Sequence, residues 1–171
     1  MSKRISFKKK LVQVVVPQLE LLGYTWANLP RGWSGAGIFL LQKNLGDDIY
    51  GSVSFQLMRW HPPLSQETSL PRSFAVGLWR HIGMQPRYGY GNEASSHINW
   101  INNMPLSQLL WCVLDAKVYE WQYYEWKFYT SDELVAQLQD AVEKLVQYGI
   151  PWLENPESSE VQFSQSYPAG E

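Results

Sequence analysis

Ile49-Tyr50-Gly51-Ser52-Val53-Ser54-Phe55-Gln56-Leu57-Met58-Arg59-Trp60 is the stretch on which the fold turns. Ile49, Val53, Phe55 and Leu57 fall on one side, and Ser52, Ser54 and Gln56 fall on the other. A period of two is that of a half-buried antiparallel strand. Just before it, Gly46-Asp47-Asp48 supplies a turn. Ala36 to Lys43, before the turn, is apolar and compatible with a strand. Beyond a long loop from His61 to Arg72, Ser73 to Ile82 alternates again, with Phe74, Val76, Leu78 and Ile82 on one face.

Further out, Tyr24 to Ala27 reads as a short strand and Val118 to Tyr129 as an aromatic one. Pro30 to Gly37 and Gly83 to Ser96 are glycine-rich loops. Pro105 to Ala116 fits a helix or a strand. Phe7, Leu11, Val14, Val15, Leu19 and Leu22 recur at helical spacing, and Gly23 is a natural stop. Pro17 either kinks this helix or opens a shorter one. Thr130-Ser131-Asp132-Glu133 is a capping box, opening a helix with Leu134, Leu138, Ala141, Val142 and Leu145 on one face. Gly149 ends it and Pro151 prevents its resumption. The sum is an α+β domain: an antiparallel β meander of about five strands with N- and C-terminal amphipathic helices packed on one face.

The 171 residues, 45% apolar and 18% charged, describe a globular chain with one domain over 1–155. Residues 156–171 are polar and acidic and read as a disordered tail. The uncharged stretch Ile98 to Leu114 holds Asn99, Asn102, Asn103, Pro105 and Gln108, so it is no membrane span. The N-terminal Lys and Arg precede no signal-peptide core. With Cys112 as the lone cysteine, no intrachain disulfide or four-cysteine zinc site is possible. A cytoplasmic location is expected.

Five of fourteen basic residues lie in the first ten positions, leaving nine basic against sixteen acidic residues over 11–171, a net of −7. So acidic a body is a poor match for phosphate backbones.

The ends of the domain carry a resemblance. Leu22-Gly23-Tyr24, Phe39-Leu40-Leu41-Gln42-Lys43 and Tyr148-Gly149-Ile150-Pro151-Trp152-Leu153 resemble the bacterial family catalogued as domain-of-unknown-function 4304. In order of elements the likeness runs over about 5–155, and its specific part is these strings. It implies the same α+β fold and carries no activity with it. The strings also have a structural reading: a left-handed cap at Gly149, a helix block at Pro151, and Trp152 and Leu153 tucked onto the core.

Chemistry-bearing residues are sparse: three His and one Cys beside nine Trp, ten Tyr and six Phe. Pairing the strands through their turns brings Arg31, Trp33, Arg59, Trp60, His61 and Arg72 to one sheet end. Arginines beside aromatic faces suit a carboxylate, a phosphate or an acidic loop. The plainer reading is that the rings cap the core while the Arg heads reach water. In the same pairing Arg80 falls near Val53, at the other end, where Asp47 and Asp48 can neutralise Arg80 and Arg87. Cys112 with His81 or His97 suggests a thiol and base. A buried thiol among Leu109, Leu110, Val113 and Leu114 is the plainer reading. The three His lack metal-ligand spacing, and nothing in the sequence calls for a cofactor. Tyr119, Trp121, Tyr123 and Trp126 make both faces of the last strand aromatic. One face must therefore be covered by a loop, a second subunit or a ligand.

Three functions compete. A non-catalytic interaction protein, immunity- or inhibitor-like, fits the aromatic excess, and its acidic body suits a partner with a basic surface. A small anionic-ligand binder or enzyme would use the Arg/Trp cluster. A single-stranded nucleic-acid binder would stack bases on the aromatics, against its charge.

Overall fold

A computed structural model describes residues 6–29, 37–58, 72–84, 100–114 and 126–155. Helices α1 (Phe7–Val14) and α2 (Val16–Leu21) open the fold, followed by strands β1 (Thr25–Trp26), β2 (Ile38–Gly46), β3 (Ile49–Met58) and β4 (Arg72–Ile82). Then come β5 (Trp100–Pro105), α3 (Leu106–Leu114), β6 (Trp126–Phe128), α4 (Ser131–Lys144), a π-helical turn at Leu145–Gly149, and α5 (Ile150–Glu154). The antiparallel sheet runs β1-β2-β3-β4-β5, and β6 also pairs with β4. β5 and β6 divide β4: β5 lies beside 77–81 and β6 beside 72–74.

This is the expected α+β arrangement with one strand more. β5 falls in a stretch with no apolar alternation, Trp100-Ile101-Asn102-Asn103-Met104-Pro105, so periodicity could not announce it. The ambiguous segment after it is helical. Pro17 opens the second helix, where its missing N–H is no loss.

Local chemistry sets the turns. Asp47 and Asp48 both take left-handed backbone, φ 50° and 60°, as a two-residue hairpin with matching twist requires. Gly46, at φ 108°, follows a bulge where Asn44 Oδ1 accepts from the Gly46 amide at 2.8 Å. At the other end of the chain, Thr130 Oγ1 accepts from Glu133 N at 3.1 Å, and Glu133 Oε2 accepts from Thr130 N at 3.2 Å. This is the capping box read from sequence.

One face of the sheet carries Leu41, Val53, Phe55, Phe74, Val76 and Leu78 into a core shared with Leu11, Leu19, Leu134, Leu138 and Leu145 from the helices. Phe74 is its aromatic hub, stacked on Trp126 at 5.6 Å and tilted against Phe7 at 5.5 Å and Phe55 at 6.3 Å. Burying each such side chain contributes about 1.5–3 kcal/mol.

Three expectations are corrected. Gly149 is no left-handed cap: its φ is −71° and the helix continues through it. A Cβ there would stand 2.7 Å from Leu145 Cδ1 and 3.2 Å from Leu106 Cδ1, so the glycine serves close packing. Pro151 likewise stands in the first turn of α5 rather than blocking helix. The pairing of β3 and β4 is also shifted by two residues, with Arg80 opposite Gly51 rather than Val53. A two-residue shift keeps every side chain on its expected face.

Candidate functional site

The face of the sheet away from the helices carries buried polar groups. Ser52, Ser54, Ser73 and His81 are nearly or fully inaccessible. His81 is held from both sides. Its Nδ1 lies 2.9 Å from the Gly83 carbonyl oxygen, which can only accept, so this nitrogen carries the proton. Nε2 then accepts from the Ser52 hydroxyl at 2.7 Å. Burial holds the imidazole below its ordinary value and keeps it neutral. Tyr50 stacks on the ring, centroids 6.0 Å apart. Two strand positions away, Trp79 Nε1 donates to Ser54 Oγ at 2.9 Å. A Cβ on Gly77 would sit 2.7 Å from that same oxygen, so glycine keeps the bond open.

The Ser52–His81 pair has the elements of a nucleophile and base, but neither side chain reaches solvent. With both nitrogens engaged, His81 has none to offer a thiol, and His97, the other base considered for Cys112, lies outside the described residues. Sequence reasoning missed the pair, although alternation already put Ser52 and His81 on one face.

Arg80, on the core face and 4% exposed, is not neutralised by Asp47 or Asp48. Its guanidinium donates to the carbonyls of Trp152, Leu153 and Asn155, at 2.6–3.2 Å. These are the terminal carbonyls of α5, the negative end of a helix. Beside it Tyr24 Oη donates to Glu154 Oε1 at 3.2 Å, and Lys43 Nζ pairs with the same oxygen at 2.8 Å. Burial, with the Glu154 charge second, pushes the Tyr24 phenol far above its usual range.

Of the expected basic sheet end, Arg72 is exposed at the start of β4, opposite Phe128. Arg31, Trp33, Arg59, Trp60 and His61 lie outside the described residues, as do Tyr119, Trp121 and Tyr123 of the expected interface. Trp126 is corrected. It is 1% exposed, stacked on Phe74, and donates from Nε1 to Asp140 at 2.9 Å, so it belongs to the core.

Among the described residues, a cleft of about 350 Å³ opens at the β1–β2 edge. Residues of β1, β2 and β3 line it, Thr25, Trp26, Gln42, Lys43, Asn44 and Tyr50, together with Gly23, Asn28 and Met84. Gln42 Oε1 is buried with no hydrogen-bond partner among the described residues. Asn44 Nδ2 donates to Tyr50 Oη at 3.3 Å. Nothing in the sequence pattern marks this cleft, because its residues come from separate elements and none is catalytic by type.

Among the described residues, no helix is long and apolar enough to cross a membrane, and no three His, Cys, Asp or Glu gather to hold a metal. No family model matches the chain, and no curated protein or solved structure matches it. The resemblance of the end strings therefore stands on those strings alone.

Proposed function

We propose that this protein is a non-catalytic interaction module of the cytoplasm, working by contact with a protein partner in the manner of an immunity protein or inhibitor. One observation carries this reading. Ile82, Met84 and Ile101 are 53%, 61% and 44% exposed where β4 ends and β5 begins. The register sets Ile101 between the partners of Arg80 and His81, one step from Ile82. Apolar side chains gathered at a surface favour a protein contact. The net −7 of residues 11–171 favours a partner with a basic face. The closed state of Ser52 and His81 supports the non-catalytic part, since a nucleophile must meet its substrate.

The test is affinity capture from host lysate with the tagged full chain, beside Ile82→Asp/Ile101→Asp and Arg31→Ala/Arg59→Ala/Arg72→Ala variants. A stoichiometric partner with a basic surface, lost from the isoleucine variant alone, supports the reading. A partner lost only from the arginine variant moves the contact to the basic end. Absence of any stoichiometric partner overturns the interaction reading.

A further inference from the structure

We infer that the end of the sheet formed by the Asp47–Asp48 turn, the close of β4 and the start of β5 receives an arginine-bearing, apolar segment of a protein partner. This rests on the interaction reading above and names the partner's side of the contact.

The strands bring the residues together. The β2–β3 hairpin turns at Asp47 and Asp48, past the last pair, Gly46 with Ile49. Ile49 pairs in turn with Ile82 on β4. Just beyond, the Gly83 amide donates to the Asp48 carbonyl oxygen at 2.8 Å, which ties the hairpin tip to the end of β4. A Cβ on Gly83 would stand 4.0 Å from Asp48 Oδ2, so a carboxylate lies by the glycine that separates Ile82 from Met84. β5 is the next strand, and Ile101 falls at its bulge, between the partners of Arg80 and His81. Across β4, β3 and β5 are about 10 Å apart. The patch is the end of the sheet rather than one of its faces, so its occupant is a stretch of chain lying across that end.

Charge says what covers it. Asp47 and Asp48 are both exposed, and neither has an ion pair among the described residues. The cations of the neighbouring strands are committed elsewhere, Arg80 to the α5 carbonyls and Lys43 to Glu154. Burial keeps His81 neutral. Two adjacent carboxylates beside exposed apolar side chains call for a cation on an apolar stem. Arginine is that residue: its fork bonds carboxylates in pairs and its stem lies on apolar surface. It is also among the side chains that dominate protein contacts.

The turn does not need these charges. Both residues hold left-handed backbone, φ 50° and 60°, which asparagine and glycine fill with no charge at all. Two aspartates set like charges side by side, and a guanidinium from a partner offsets that repulsion.

The test is selection of a random-peptide phage library on the full chain, followed by calorimetric titration of the synthetic peptides it enriches. The variants are Asp47→Asn/Asp48→Asn, Ile82→Asp and, as a control with the same change in net charge, Glu20→Gln/Glu143→Gln at exposed helix positions. Asparagine takes left-handed backbone readily, so the turn variant keeps the fold, which thermal unfolding checks. The expected result is enrichment of peptides in which arginine stands beside leucine, phenylalanine or tryptophan. Their binding falls roughly tenfold or more, about 1.4 kcal/mol, with Asp47→Asn/Asp48→Asn and with Ile82→Asp, and the control pair keeps it. It also weakens as salt rises from about 0.05 to 0.5 M. Enriched peptides without arginine, equal binding by the turn variant, or no enrichment overturns the inference. The lysate capture keeps the two readings apart. A partner lost from Ile82→Asp/Ile101→Asp but held by Asp47→Asn/Asp48→Asn leaves the interaction module standing and overturns the arginine contact.

Discussion

Arg80 grips the carbonyl oxygen of Leu153 with two donors, Nε at 3.1 Å and Nη2 at 2.6 Å. The first residue sits in the middle of the sheet and the second near the end of the last helix. A helix leaves its last carbonyls without partners, and α5 ends where its own chain supplies few. A strand reaches over to satisfy them, so sheet and C-terminal helix are joined by charge-assisted hydrogen bonds as well as by packing. The planar guanidinium serves several carbonyls at once, a task an ammonium performs less well.

Replacing Arg80 with Met should therefore loosen the last helix before the rest. Hydrogen bonds to charged groups contribute about 1.5–3 kcal/mol each, and because these share one donor group the loss is less than additive. The expected cost is about 3–5 kcal/mol, read from urea unfolding. Arg80→Lys should fall between wild type and Arg80→Met. Hydrogen exchange should show amides of 145–155 losing protection first in the variant. Equal loss across the sheet would mean that the anchor is not local.

His81 ties stability to pH. Its folded value is lowered below the ordinary 6.5 by burial, so the unfolded chain takes up the proton first as pH falls. The stability it contributes is complete above about pH 6.5 and is lost as pH drops below that value. One such proton is worth at most about 1.4 kcal/mol per pH unit. His81→Asn should lower stability at neutral pH and flatten its fall between roughly pH 6.5 and 5. Parallel curves for the two proteins would show that His81 titrates as it does in water.

The strands that alternate were legible because Val53, Phe55, Phe74, Val76 and Leu78 each obey a period of two, and the capping box was legible because it is local. β5 was not, because its place depends on hydrogen bonding to β4 and on the helix that follows. The polar face was legible only as a face. That Ser52 bonds His81 depends on the register and on a carbonyl two residues along. Trp126 shows the limit most plainly. In a run with aromatics on both faces, composition suggests an exposed surface, whereas a three-residue pairing with β4 turns this ring onto Phe74. The cleft is assembled from three strands and the residues that flank them, so no window of sequence contains it.

Trp126→Ala should accordingly act as a core mutation, costing about 3–5 kcal/mol with no separate effect on partner capture. Trp126→Phe should cost less, since the stack on Phe74 survives while the bond to Asp140 is lost, and Asp140 still holds Lys144. Loss of partner capture by a Trp126→Phe protein of unchanged melting temperature would return this residue to the interface.

Gly149 puts two physical effects in opposition. The glycine lies inside a helix at φ −71°, where alanine is favoured over glycine by about 1 kcal/mol. Propensity alone predicts that Gly149→Ala stabilises. Against it stand Leu145 Cδ1 at 2.7 Å and Leu106 Cδ1 at 3.2 Å from the new Cβ, and overpacking a filled core costs about 1–3 kcal/mol. Leu145 and Leu106 are both fully buried, so neither methyl has solvent to move into, and the steric effect should win: Gly149→Ala is expected to destabilise by about 1 kcal/mol. Combining it with Leu106→Ala should cost less than the two changes summed, because the space vacated by one takes the methyl of the other. Strict additivity in that double-mutant cycle would show that the π-helical turn relaxes around the methyl, and that the glycine is not what lets this turn approach α3.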